Sequence, residues 1–296
     1  MKKILVTGGT GMLGIHLKQI LPDAIYVGSK DCDLTDLKQV RNLVSTYKPD
    51  IIVHLAARVG GIQDNISKPA EYFDDNILMN TNMVKVSHEN NVNRFIGILS
   101  TCAYPNSVET YPMYEQDLFL GPPAPTNFSY GYAKRCLATQ IHAYNKQFGL
   151  NYNYLIACNL YSEYDNFNNK NKMHFITAVL DKIKNSKDNK IKLLGNGKPL
   201  RQFIYAGDLA DVIKQVIDKN ITTNFNVAPD DNLSIDEMAK IALQVTNKDY
   251  EIEYSNPELK GQFRKDVSND LMKQLLPNFK FTKFKNGIKK VYDTIS

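Results

Sequence analysis

The chain has 296 residues, 43% hydrophobic and 23% charged, with a net charge of +5. That is enough for one large domain or two that share a core, in the ordinary range for a soluble globular protein. No run approaches the ~18 apolar residues of a membrane helix, no dense basic cluster suits nucleic acid, and MKKILVTGG meets its glycines too early for a signal-peptide core, so a cytoplasmic protein is expected.

The first half alternates between two kinds of segment. KILVTG (3–8) is a predicted strand and GMLGIHLKQIL (11–21) a predicted helix. AIYVGS (24–29) is a strand, and LTDLKQVRNLVSTY (34–47) a helix with Thr35 as its expected N-cap. DIIVHLAA (50–57) is a strand, 70–90 a long helix, and RFIGILS (94–100) another strand. A Pro-rich loop (105–128) precedes the helix SYGYAKRCLATQIHAYNKQF, and LNYNYLIACNLY (150–161) is the next strand. Such alternation predicts an α/β fold with a doubly wound parallel sheet.

After Tyr161 the pattern loosens. SEYDNFNNKNK is a polar loop, HFITAVLDKIKN (174–185) a helix, and the segment through Gly195-Asn-Gly197 a strand, a turn, a short strand and a helix. LSIDEMAKIALQVT is a helix capped by Ser234. The expected division is a dinucleotide-binding domain over 1–161, a return to it over 201–228, and a smaller mixed α/β substrate lobe over 162–296.

Gly8-Gly9-Thr10-Gly11-Met12-Leu13-Gly14 lies between the first strand and first helix. There, glycines let the backbone turn tightly and approach a pyrophosphate at the helix N-terminus. The plainer alternative is a glycine-rich turn with no ligand. An acidic residue ending the second strand would bind the ribose 2′-hydroxyl of NAD. Gly28 stands there instead, followed by Ser29 and Lys30. A hydroxyl and a cation suit the 2′-phosphate of NADP, while Asp31 and Asp33 close by leave NAD as the alternative.

Tyr130 and Lys134 open the helix after the fourth strand's loop, one helical turn apart. A cation beside a phenol of pKa about 10 favours the phenolate and eases proton transfer. By itself the spacing is common. Ser100 or Thr101, at the preceding strand end, can hydrogen-bond the same carbonyl. Both features fall beyond the carboxyl ends of strands, where such sheets bind ligands.

Gly8 to Gly14, His54-Leu-Ala-Ala57, Ser100-Thr101 and Tyr130 to Lys134 together resemble the extended short-chain dehydrogenase/reductase family. The resemblance implies a Rossmann domain, a nucleotide-sugar lobe and a homodimer. Val59 to Ile62, Ser100-Thr-Cys-Ala-Tyr-Pro105, Pro125-Thr-Asn127, Asn159-Leu-Tyr161, Asp165-Asn-Phe167 and Gly195 to Arg201 are similar to that family's GDP-4-keto-6-deoxymannose 3,5-epimerase/4-reductase branch. The implied substrate is a GDP-linked 4-keto-6-deoxy sugar. Cys102 and His174 are implied for epimerisation. Leu99, Thr101, Lys134, Asn159 and Leu160 are implied to join the glycine turn at the dinucleotide. Lys182, Leu194, Arg201 and Glu258 are implied at the GDP-sugar, Lys182 where the family has an arginine.

A cysteine near a strand end is most often a buried filler, and a histidine at a helix start usually caps or solvates. Yet a 4-ketone acidifies C3 and C5, and inversion needs a base on one ring face and an acid on the other. Thiol and imidazole, with free pKa values of about 8.5 and 6.5, can both exchange protons near neutrality. His16, His54, His88 and His142, and Cys32, Cys136 and Cys158, are read as structural, and scattered cysteines imply no disulfide framework and no metal. Nucleotide-sugar dehydratases carry an acidic pair where Cys102-Ala103 stands, so water elimination is disfavoured. The remaining alternatives are a C4 reductase of a hexose or heptose without epimerisation, and a dinucleotide sensor without turnover.

Overall fold

The fold is given by a computed structural model that describes residues 2–165, 167, 173–256 and 262–295. The chain begins β1 (Ile4–Thr7), α1 (Met12–Ile20), β2 (Ile25–Val27), α2 (Leu37–Tyr47), β3 (Ile51–His54), α3 (Ile62–Ser67), α4 (Pro69–Glu89) and β4 (Arg94–Ser100). Then come α5 (Phe128–Phe148), β5 (Asn153–Ala157), β6 (Asn159–Tyr161), α6 (Phe175–Asn185), β7 (Lys190–Leu194), β8 (Leu200–Arg201), β9 (Phe203–Tyr205) and α7 (Ala206–Asp218). β10 (Phe225–Val227), β11 (Leu233–Ser234), α8 (Ile235–Val245), β12 (Glu251–Ser255), α9 (Asp270–Leu275) and α10 (Phe284–Ile295) complete it.

ILVT, IIVH and RFIGIL show no polar alternation because both faces of their strands are covered. They form the middle of a parallel Rossmann-like sheet in the order β10-β5-β4-β3-β1-β2. Leu5, Ile52, Phe95, Ile96 and Leu155 are wholly buried in its core. α1 packs on α7, and α4 packs against both α2 and α5. Chain order reverses between β1 and β3, which opens a crevice above their carboxyl ends. A second apolar cluster joins α6, α8 and α10 with the parallel pair β7–β12, through Leu180, Ile191, Met238 and Ile288.

Two local readings are corrected. Residues 150–161 are two strands, because the chain changes partner at Cys158. The Cys158 N–H donates to Val227 O at 3.2 Å within the main sheet, and the Asn159 N–H to Gln202 O at 3.3 Å outside it. Of 201–228, Phe225–Val227 joins the main sheet, whereas β9 pairs with β6. α2 is capped by Asp36, whose carboxylate accepts from the Lys38 and Gln39 N–H groups. The Thr35 hydroxyl instead donates to Asp33 Oδ1 at 2.7 Å, one residue ahead of the cap. Ser234 caps α8 as expected, with Glu237 closing the capping box. Among the described residues, no helix is long and apolar enough to cross a membrane.

His54 lies inside the sheet, its Nδ1 2.7 Å from Thr7 Oγ1 and its Nε2 3.0 Å from Asn80 Oδ1. Burial, helped by the charge of Lys134, pushes its pKa down to about 3. The unfolded chain therefore binds more protons than the folded one between pH 3 and the free value of about 6.5. From this group, stability is complete above pH 6.5 and falls as pH drops, by up to roughly 1.4 kcal/mol per pH unit. Urea unfolding of the wild type and His54→Gln at pH 4.5 and 7 checks this: the wild type loses more stability on acidification than the variant does.

Candidate active site

One cleft of about 1680 Å³ lies over the strand ends and reaches into the second lobe. That is more than the ~300–1,000 Å³ of a pocket for one small ligand, so it has room for a dinucleotide and a second nucleotide together. β1 and α1 supply Gly8, Thr10, Gly11, Met12 and Leu13, and β3 leads into Leu55 to Gly61. β4 ends in Leu99, Ser100 and Cys102, and β5 and β6 add Ala157, Asn159 and Leu160. The second lobe adds His174, Lys182, Leu194, Arg201 and Lys265.

The glycine turn is shaped by close packing. Gly8 adopts φ +70°, and a Cβ on Gly14 would lie 2.6 Å from the Gly9 backbone. α1 starts at Gly11 with no side chain capping it, so its first amides remain available at the cleft. Uncapped amides and no intruding side chain fit a pyrophosphate. No carboxylate ends β2: Asp31 Oδ2 accepts from the Gly28 N–H at 2.7 Å, and Asp33 Oδ1 from Thr35. The residues present therefore fit a dinucleotide, and both acids that left NAD open are engaged in local turns.

Of the expected cofactor contacts, Gly8, Thr10, Gly11, Met12, Leu13, Ser29, Leu99, Lys134, Asn159 and Leu160 line the cleft. Gly9 and Gly14 lie behind it, where they let turn and helix meet. Thr101 is buried beneath the strand end, and Lys30 stands exposed off the cleft wall. Lys182, Leu194 and Arg201 line the sugar-side wall, while Glu258 lies outside the described residues.

The reacting groups are gathered by the contact of α5 with the turn after β4. Ser100 Oγ accepts from the Cys102 N–H at 3.2 Å and so fixes the turn. Arg135, buried on α5, holds the next carbonyl, Ala103 O, through Nε at 3.0 Å and Nη2 at 2.6 Å. A Cβ on Gly131 would lie 2.5 Å from Cys102 O, so only glycine permits this approach. The result sets Tyr130 beside Ser100. Lys134, one turn on, reaches within 5.8 Å of the Tyr130 ring centroid and donates to Ile98 O at 2.8 Å.

Burial raises Tyr130 well above the free phenol, with the Cys102 charge adding to it and the Ser100 hydrogen bond opposing it. Burial thus favours the protonated phenol. Burial pulls Lys134 itself down to about 8.

Cys102 and His174 are biased in opposite directions. Burial pushes the Cys102 thiol up, but Lys265, Ser100 and Arg201 outweigh it and hold the thiol below its ordinary value. Burial pulls His174 down, but its hydrogen bond to Asp165 and that residue's charge outweigh burial and raise it. His174 Nδ1 lies 2.9 Å from Asp165 Oδ1, and Thr177 donates to Asp165 Oδ2. Nε2 has no partner among the described residues, and the ring lines the cleft. Sequence reasoning assigned Lys265 and Asp165 no part. Asp165 sat inside a stretch quoted for the family resemblance; Lys265 carried no local signal. Among the described residues, no group of three or more His, Cys, Asp or Glu could hold a metal ion.

The NAD dependent epimerase/dehydratase family matches residues 4–228. The chain is 32% identical to a probable GDP-L-fucose synthase of Drosophila melanogaster, over 97% of this chain and 95% of that one. It is 32% identical to a GDP-L-fucose synthase of Dictyostelium discoideum, over 97% and 93%. The crystal structure of a GDP-L-fucose synthetase from Naegleria fowleri bound to NADP superposes with a TM-score of 0.87 at 29% identity, covering 99% of this chain and 94% of that one.

Replacing the carboxylate beside His174 should let burial win. In Asp165→Asn the His174 pKa falls below the free value of about 6.5, whereas in the wild type it lies above it. Imidazole NMR titration measures both, and an unchanged pKa in the variant would refute Asp165 as the cause.

Proposed function

The chain belongs to the NAD dependent epimerase/dehydratase family, and from that premise we propose that it inverts C3 and C5 of a GDP-4-keto-6-deoxy sugar and then reduces C4 with NADPH, the activity of a GDP-L-fucose synthase. One observation carries the reading: a Ser100–Tyr130 pair, a thiol held low and an imidazole held high all line a single cleft. A reductase without epimerisation would leave the last two without work.

In this reading the α1 amides at Met12 and Leu13 hold the pyrophosphate, and Ser29 takes the 2′-phosphate. Residues 1–161, with 201–228, form the dinucleotide-binding part, and 162–296 chiefly the nucleotide-sugar part. Lys182 and Arg201 bring positive charge toward the sugar diphosphate, Leu194 lines its apolar wall, and Glu258 completes the set. A homodimer in the cytoplasm is part of the same proposal. The exposed Phe73 and Leu78 on α4 offer apolar surface for the dimer contact.

The 4-ketone makes the C3 and C5 protons acidic. Cys102 as thiolate takes such a proton: an S–H bond forms, the C–H bond breaks, and the electron pair moves into an enolate on O4. His174 as imidazolium returns a proton to the opposite face of that carbon. Ser100 and Tyr130 hydrogen-bond O4 throughout. When bound, the reduced nicotinamide supplies hydride to C4. Tyr130 then gives O4 its proton, and the burial that keeps the phenol protonated suits it to be the donor.

Two experiments test this. Tyr130→Phe lowers C4 reduction by about 10²–10⁴-fold while NADPH binding, followed by fluorescence, changes little. Full activity in that variant refutes the role. In deuterated water the wild-type product carries label at C3 and C5. A reduced product without it identifies a C4 reductase that does not epimerise.

A further inference from the structure

Lys265 is nine-tenths buried, 163 residues from Cys102 in the chain, and its ammonium donates to Cys102 Sγ at 3.4 Å. Its segment is tightly held. The Met113 N–H donates to Asp266 O at 2.9 Å, the Val267 N–H to Gln202 Oε1 at 2.9 Å, and the Ser268 N–H to Met113 O at 2.8 Å. The neighbouring carboxylate, Asp266, is occupied by Arg264 at 2.6 and 3.0 Å. Among the described residues, no acid pairs with Lys265.

The other groups facing this contact are few. Ser100 comes from β4, Tyr130 from α5 and Arg201 from β8 around the thiol, and the buried Cys158 also feels the Lys265 charge. None is a carboxylate. A buried ammonium is costly without an anion. The one group in contact that can become an anion is Cys102.

We propose that Lys265 is a positioning residue for epimerisation, whose ammonium holds Cys102 as the thiolate that takes the proton from carbon. The inference rests on the reading of Cys102 as the base, and it adds the group that keeps it one. No oxidant or further reactant is required: a proton leaves sulfur for solvent before substrate binds, and the ion pair Lys265–Cys102 remains. On substrate deprotonation the sulfur is neutralised and the Lys265 charge is left facing the new enolate, which it stabilises.

The test follows the sulfur directly, in the full chain. Thiolate ultraviolet absorbance is titrated in the wild type and corrected by subtracting Cys102→Ser. The Cys102 step lies below the free value of about 8.5. In Lys265→Met it rises by about one pH unit, and iodoacetamide alkylation at neutral pH slows about tenfold; Lys265→Arg restores both. An identical titration in the wild type and Lys265→Met overturns the proposal. If Lys265→Met does not fold, the wild type decides: a Cys102 step at or above the free value overturns it, and one below supports it. Deuterium uptake at C3 and C5, measured without NADPH, is the separate readout. If the titration shifts as stated but the wild type takes up no label, the hold of Lys265 on the sulfur stands and the epimerase reading falls.

Discussion

The close approach of α5 to the turn after β4 is the contact on which the rest of the site depends. Gly131 removes the side chain that would collide with Cys102 O, and Arg135 ties Ala103 O to the helix. Ser100 holds the same turn from the strand side. A buried guanidinium bonded to carbonyls keeps its partners in a narrow geometry, since moving either leaves a buried polar group unpaired. Tyr130, Ser100 and Cys102 are therefore positioned by one packing arrangement and not by three independent ones.

Within that frame, burial sets the charge of each group, and its neighbours decide whether burial wins. For Tyr130 and Lys134 it does: the phenol keeps its proton and the ammonium holds its proton less firmly. For Cys102 and His174 it does not, because a cation stands against the thiol and a carboxylate against the imidazole. In a site of low dielectric such pairs act more strongly than in water. Two side chains with free pKa values about two units apart are thus shifted in opposite directions, the thiol toward thiolate and the imidazole toward imidazolium.

The division between what was legible in the chain and what was not follows from range. The glycine turn was legible because strand, turn and helix N-terminus are contiguous, and Tyr130 with Lys134 because one helical turn fixes their relation. Lys30 follows Ser29 in the chain, yet Ser29 lines the cleft and Lys30 stands exposed off its wall. The α2 cap was not legible either, since Thr35 and Asp36 are adjacent good caps and only the fold shows that the Asp36 carboxylate meets the helix N–H groups. The split of 150–161 depended on Gln202, a partner more than forty residues away.

By itself the sequence determined the alternation of strands and helices, the dinucleotide turn and the phenol–lysine pair, because backbone geometry ties each to its neighbours within a few residues. It also placed a hydroxyl and a thiol just beyond a buried strand. Only the tertiary structure decided how those groups are charged. Lys265 reaches Cys102 across 163 residues, and Asp165 meets His174 nine residues along the chain. Charge state depends on burial and on distances of a few ångströms through space, and the chain folds those distances into being only when both lobes have packed.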